Sequence, residues 1–164
     1  MELPKRKSTR IRGYDYATNG AYFVTLCTQG RRTILSRVVG EGFPLPQLLP
    51  TGTIVETWIG ALPEKYPTVS VDHYVIMPNH VHLLLTIDPG DGRGNPSPTL
   101  TQVIGWLKYQ TTKDCNRRMH TEGNRLFQRS FYDHVVRGEQ DYQDIWTYIE
   151  NNPLQWELDR FYTK

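Results

Sequence analysis

Cysteine is nearly absent from this chain. Cys27 and Cys115 are the only two among 164 residues, they lie in distant segments, and no C-x-x-C spacing joins them, which excludes a disulfide-built scaffold. Long apolar runs are missing as well. No stretch approaches the roughly 18 residues that a membrane span needs, and the charged N-terminus is not followed by a hydrophobic signal core. The expectation is a soluble, reduced, cytoplasmic protein with no membrane partner. Charge of one sign is also in short supply. A formal net charge of +2 gives no whole-chain argument for a polyanionic partner. No internal repeat is visible.

What is present fits one domain over 1–164, because 38% hydrophobic and 12% aromatic residues suffice for a single ordinary core. Local charge says more than the total. Lys5, Arg6, Lys7, Arg10 and Arg12 crowd a basic arm over residues 1–16, opposed early on only by Glu2, and such arms commonly track phosphates when they are not simply solvated. A second concentration, Lys108, Lys113, Arg117 and Arg118, suits either the C-terminal half of a helix or DNA contact.

The apolar pattern predicts the element order. Ala21 to Cys27 is β-branched and aromatic after Asn19-Gly20, and reads as a central strand. Gly40 to Pro50 reads as a loop or short hairpin. From about Gly52, the spacing of Ile54, Val55, Trp58, Ile59 and Leu62 predicts a helix closed by Pro63 or Pro67. Val69 to Met77 and His80 to Ile87 form two strands joined at Pro78-Asn79. Asp88 to Pro98 is a loop, and Ser97 or Thr99 caps a helix whose stripe is Leu100, Val103, Ile104 and Leu107. Phe131 to Arg137 is a strand ended by Gly138. A last helix runs from Glu139 to about Glu150, and Pro153 stops or kinks it near Asn152. Strand, helix, strand, strand, helix, strand, helix is the order of an α+β, ferredoxin-like antiparallel sheet: a split βαβ with helices on one face and an added C-terminal helix.

His80-Val81-His82 is the chemically suggestive feature. Residues i and i+2 of a strand share a face, so the two imidazoles point together and offer two nitrogens to a divalent metal, unless they are surface residues or satisfied core donors. A metal site needs a further ligand from another element.

Three ordered blocks carry a resemblance. They are Tyr74-Val75-Ile76-Met77-Pro78-Asn79-His80-Val81-His82-Leu83-Leu84, then Phe127 to Arg137, then Asp141 to Pro153. Arg12-Gly13-Tyr14-Asp15-Tyr16 leading into Ala21-Tyr22-Phe23-Val24-Thr25 adds a fourth stretch. Together they resemble the REP-associated tyrosine transposases, in the HUH single-tyrosine transposase superfamily. The resemblance implies a metal-assisted DNA strand transferase whose nucleophile, on the helix after the last strand, corresponds to Tyr148 rather than Tyr132, Tyr142 or Tyr162. It implies Asn152 as third metal ligand beside His80 and His82. Asn152 shares a helical face with Tyr148, although Asn is also a common helix stop and Glu150 or Asn151 would substitute if the register differs. His134 fits a structural or DNA-contact role better than ligation.

The implied reaction cleaves and rejoins single-stranded DNA near hairpins through a 5′-phosphotyrosine, with Mg²⁺ or Mn²⁺ as cofactor and without a nucleotide, and the chain carries no G-x-x-x-x-G-K-[ST] loop. Single-stranded or hairpin DNA is the implied partner, met by a monomer or homodimer. The candidate DNA-binding residues are Lys5, Arg6, Lys7, Arg10, Arg12, Lys108 and Lys113, with Trp106, Tyr109 or Phe127 as possible stacking platforms. Two other readings stay open: a catalytically silent hairpin-binding module, and a metal-dependent nuclease in which Tyr148 is structural.

Overall fold

The computed structural model describes residues 20–89 and 97–163, so the basic arm and its five cations lie outside the described residues. Six strands and four helices are described: β1 (Gly20–Cys27), β2 (Ser36–Val39), β3 (Leu45–Leu48), α1 (Pro50–Gly60), α2 (Leu62–Lys65), β4 (Val69–Ile76), β5 (His80–Ile87), α3 (Leu100–Met119), β6 (Tyr132–Val135) and α4 (Glu139–Asn151). The main sheet has the order β4-β5-β1-β6 with every pair antiparallel. β5 therefore lies between β1 and β4, which is the split βαβ arrangement expected from the element order.

Boundary differences have local causes. The Gly40 to Pro50 segment is largely a β2–β3 hairpin, turned where Gly40 and Gly42 take positive φ of 109° and 82°. α1 begins at Pro50 rather than Gly52, since proline at the first helical position lacks only an N–H that would have no partner there. The helix breaks after Gly60 and restarts as α2, with Pro63 in its first turn. β6 is shorter than the expected Phe131 to Arg137. Gly138, at φ 91°, then turns the chain into α4.

Strand alternation sorts the two faces of the sheet. Tyr22, Val24 and Leu26 of β1 join Val81, Leu83, Leu85 and Ile87 of β5 in the larger core, against Ile54, Val55 and Ile59 of α1 and Leu100, Val103, Ile104 and Leu107 of α3. Thr99 caps α3 through a reciprocal box with Gln102. The opposite face is narrower. There Val75, Met77 and Leu84 receive Ile145 and Ile149 of α4, with Phe23 beside them.

Polar contacts supplement that small seam. A bulge between Val71 and His73 interrupts the β4 register, and Asp72 Oδ2 accepts from Thr86 Oγ1 at 2.6 Å and from the Tyr142 hydroxyl at 2.8 Å. Trp146 of α4 stacks on the His73 ring, with centroids 4.2 Å apart. α4 is thus fixed to β4 along two of its turns.

On the other face, Asp114 ties α3 to α1. Its carboxylate accepts from Trp58 Nε1 at 2.9 Å, and from Arg117 Nη2 and Arg118 Nε at 2.8 Å each. Burial raises its pKa, but the hydrogen bonds from Arg118, Trp58 and Arg117 outweigh that and bring it to about 2. An acid held below its unfolded pKa of about 3.9 stabilises the fold above that value and loses the contribution as pH falls through about 2. Asp114→Asn therefore lowers the melting temperature at pH 7, and the gap from wild type closes as the melts are repeated toward pH 2.

Candidate metal and nucleophile site

The β4–β5 connection at Pro78-Asn79 is buried, so its polar groups need internal partners. The Asn79 carbonyl accepts from Thr28 N at 3.0 Å and from Thr28 Oγ1 at 3.2 Å, and the Pro78 carbonyl accepts from Leu35 N at 3.0 Å. The Asn79 side chain faces both ways. Its Nδ2 donates to the Phe161 carbonyl at 2.6 Å, and its Oδ1 lies 2.9 Å from His80 Nδ1. Because a carbonyl can only accept, the amide nitrogen must face Phe161, which leaves the amide oxygen toward His80. His80 Nδ1 is then the donor. In the neutral ring, Nε2 keeps its lone pair.

His82 is held from the neighbouring strand. It pairs across the sheet with Thr25, whose Oγ1 lies 2.8 Å from His82 Nδ1. The His80 and His82 rings lie edge to face with centroids 4.6 Å apart, and both side chains are almost wholly buried. Burial is the main reason both histidines are held neutral. The His80 pKa is lowered to about 3 despite its contact with Asn152, and that of His82 falls well below the usual value, with His80 and Arg160 adding to the effect.

Two elements close over the pair. α4 brings Tyr148, whose ring centroid is 5.3 Å from that of His82 and which packs edge-on against Phe23. Asn152 follows one turn later. As the C-cap it still has helical φ and ψ of −59° and −42°, so Pro153 ends the helix without removing Asn152 from the Tyr148 face. The segment after α4 brings Asp159, whose Oδ2 lies 3.9 Å from His80 Nε2, and Phe161, whose ring centroid is 4.7 Å from that of His80.

His80 Nε2, His82 Nε2 and Asn152 Oδ1 are buried and have no hydrogen-bond partner. Buried polar atoms without partners are costly unless something occupies the site beside them. Ligand atoms of His80, His82 and Asp159 all lie within 4.8 Å of one another, and two imidazole nitrogens with an amide and a carboxylate oxygen form a donor set fit for a divalent cation. Tyr148 is about two-fifths exposed and accessible. Burial and Asp159 raise its pKa, while a hydrogen bond from Asn152 and the charge of Arg160 partly oppose them.

The profile of IS200-like transposases matches residues 17–152. The chain belongs to the IS200-like transposase family. An uncharacterized protein of Haemophilus influenzae is 30% identical over 96% of this chain and 93% of its own length. A candidate REP-associated tyrosine transposase of the same species is 27% identical over 86% and 74%. Among solved structures, a REP-associated tyrosine transposase bound to a REP hairpin superposes with a TM-score of 0.63, at 23% identity, over 89% of this chain and 73% of that one. A candidate transposase from Deinococcus radiodurans gives 0.50, at 21% identity, over 87% and 95%.

Within this transposase fold, His80, His82, Asn152 and Tyr148 meet in one chain. No sequence pattern points to Asp159; it lies past Pro153 in a stretch with little periodicity, and its approach depends on the Phe161 backbone. His134 pairs with Asp141 at 2.7 Å and stands apart from the histidine pair. Lys108 donates to the carbonyls of Gln128 and Arg129 at 2.7 and 2.8 Å, so two of its three ammonium donors brace that loop. Lys113 is exposed. Of the stacking candidates, Trp106 packs against Trp58 and Tyr66 and Phe127 is buried, whereas Tyr109 is 60% exposed. Among the described residues, no helix is long and apolar enough to cross a membrane.

The Thr25 contact gives a stability test of the site's frame. Thr25→Val keeps the shape but leaves His82 Nδ1 buried without a partner, so the urea midpoint should fall by the equivalent of about 1–3 kcal/mol.

Proposed function

We propose that this protein is a metal-dependent, HUH-type DNA strand transferase that cleaves and rejoins single-stranded DNA at the foot of a hairpin, with Tyr148 as nucleophile. The observation that carries the reading is the approach of the Tyr148 ring to within 5.3 Å of His82, beside three buried, unpartnered ligand atoms of the same chain. A free-standing structural tyrosine would not need such a neighbourhood.

Each residue has a role. His80, His82 and Asn152 would hold Mg²⁺ or Mn²⁺, with Asp159 as a further oxygen donor. When bound, the cation supplies Lewis-acid stabilisation of the charge that develops on the phosphate. Thr25 and Asn79 orient the two imidazoles through their Nδ1 atoms, as partners outside the ligand set commonly do. Tyr148 is a phenol at neutral pH, since an ordinary tyrosine pKa near 10 is raised further here. It must therefore lose its proton as it attacks.

The phenolic oxygen forms a bond to phosphorus, the bond from phosphorus to the 3′ oxygen breaks, and that oxygen leaves as a 3′-hydroxyl after taking up a proton. The remaining 5′-phosphotyrosine conserves the ester. Rejoining runs the same steps backward from another 3′-hydroxyl, so no nucleotide is consumed. With all four groups drawn from one chain, the proposed site would need no residue of a second subunit. Hairpin DNA is the proposed partner on the strength of family membership and of the fold shared with a hairpin-bound transposase. Such a protein would work on DNA in the cytoplasm.

Incubation of the protein with end-labelled hairpin DNA carrying single-stranded flanks, plus Mn²⁺, should yield a denaturation-resistant adduct. Tyr148→Phe should reduce it on the order of a thousandfold or more. His82→Ala should also lose the rise in melting temperature that Mn²⁺ gives wild type. Cleavage without an adduct would instead identify a nuclease, and hairpin binding without cleavage a silent module.

A further inference from the structure

A band of arginines scattered in sequence gathers at the end of the sheet that carries His80. Arg160 and Arg31 both lie over the Phe161 ring, their guanidinium carbons 4.7 and 5.8 Å from its centroid, and Phe161 itself packs on His80. Arg32 follows Arg31 in the chain. Its Nη2 donates to the Arg125 carbonyl at 3.2 Å, which carries the band round the edge of the sheet to the α3 side.

There the band ends in a cavity of about 420 Å³, within the size range of small-ligand sites, lined by Tyr109, Lys113, Arg125, Phe127 and Arg129 among others. The cavity wall is tied directly to the histidine end of the sheet. Phe127 bridges Thr28, Gln128 donates to the Thr28 carbonyl, and Thr28 donates to the Asn79 carbonyl. Among the described residues, Lys113, Arg125 and Arg129 are exposed and in no ion pair. Tyr109 is exposed beside them, with the Lys113 ammonium 5.7 Å from its ring.

Unpaired cations along a path, ending at an exposed aromatic ring in an open cavity, are the elements of a single-strand site: charge follows the phosphates and the ring takes a base. A duplex offers no unstacked base for Tyr109. We propose that this band and cavity bind the single-stranded flank of the DNA, leading it from Tyr148 past Phe161 and seating one of its bases against Tyr109. The proposal rests on the strand-transfer reading for its substrate, and adds a second contact region on the far side of the sheet edge.

Fluorescence anisotropy with two probes tests it: a roughly twelve-nucleotide oligothymidine, and a blunt hairpin with no flanks. Wild type should bind the oligothymidine with a steep salt dependence. Arg125→Ala/Arg129→Ala should lower the log–log salt slope for that probe by about 1.4, at about 0.7 per single-strand phosphate contact. Tyr109→Ala should weaken it about tenfold with the slope unchanged, the size of one lost base stack. Neither variant should alter affinity for the blunt hairpin. Thermal melts matching wild type, expected for exposed side chains, establish that both variants fold.

Failure of wild type to bind oligothymidine, unchanged binding in both variants, or equal loss on the blunt hairpin would each overturn the proposal. The outcome separates from that of the strand-transfer reading. Adduct formation by wild type with oligothymidine binding unaffected by the variants would sink the band alone; the predicted binding losses without any adduct would sink the chemistry alone.

Discussion

The buried turn at Pro78-Asn79 is the constraint on which the rest of the site depends. A turn removed from water must have its carbonyls answered, and here Thr28 and Leu35 supply the donors. The Asn79 side chain is left to link the Phe161 carbonyl to His80 Nδ1. That single amide fixes the orientation of His80, directs its second nitrogen inward, and holds the C-terminal segment that brings Asp159. A turn exposed to solvent would impose none of these conditions.

The sheet then divides labour by parity. Odd-numbered positions of β5 fill the core under α1 and α3, while His80, His82 and Leu84 face α4. The larger core can thus carry stability, and the narrower face can tolerate buried polar groups with no partner of their own. α4 is bound to that face by Ile145 and Ile149, supplemented by Tyr142 on Asp72 and Trp146 on His73. The position of Tyr148 is therefore set by contacts with β4, a strand that offers no ligand atom to the cluster, together with Leu84 of β5 and Phe23 of β1.

Much of this was legible in the sequence, and the reasons differ by residue. His80 and His82 show themselves because strand periodicity is two; Tyr148 and Asn152 because helix periodicity places them one turn apart, and the family resemblance says which tyrosine matters. The split βαβ order followed from alternating apolar patterns. Asp159 was hidden because it sits in a short irregular segment whose course is set by backbone and side-chain hydrogen bonds to distant residues. Lys108 stands among the candidate DNA contacts because a helical stripe reveals which side is wet, not which carbonyl an ammonium meets. The arginine band is invisible in the sequence for a related reason: Arg31 and Arg160 meet over Phe161, and Arg32 meets Arg125, only after the chain folds. Arm residues 1–16 were the obvious basic run, and they lie outside the described residues.

The central claim is that Asn79 sets the His80 tautomer so that Nε2 presents a lone pair into the cluster with His82, Asn152 and Asp159. Long-range proton–nitrogen correlation spectra of the histidine side chains, recorded on metal-free protein at pH 7, test it most directly. The account predicts His80 protonated at Nδ1 and bare at Nε2. A proton on His80 Nε2 would contradict it.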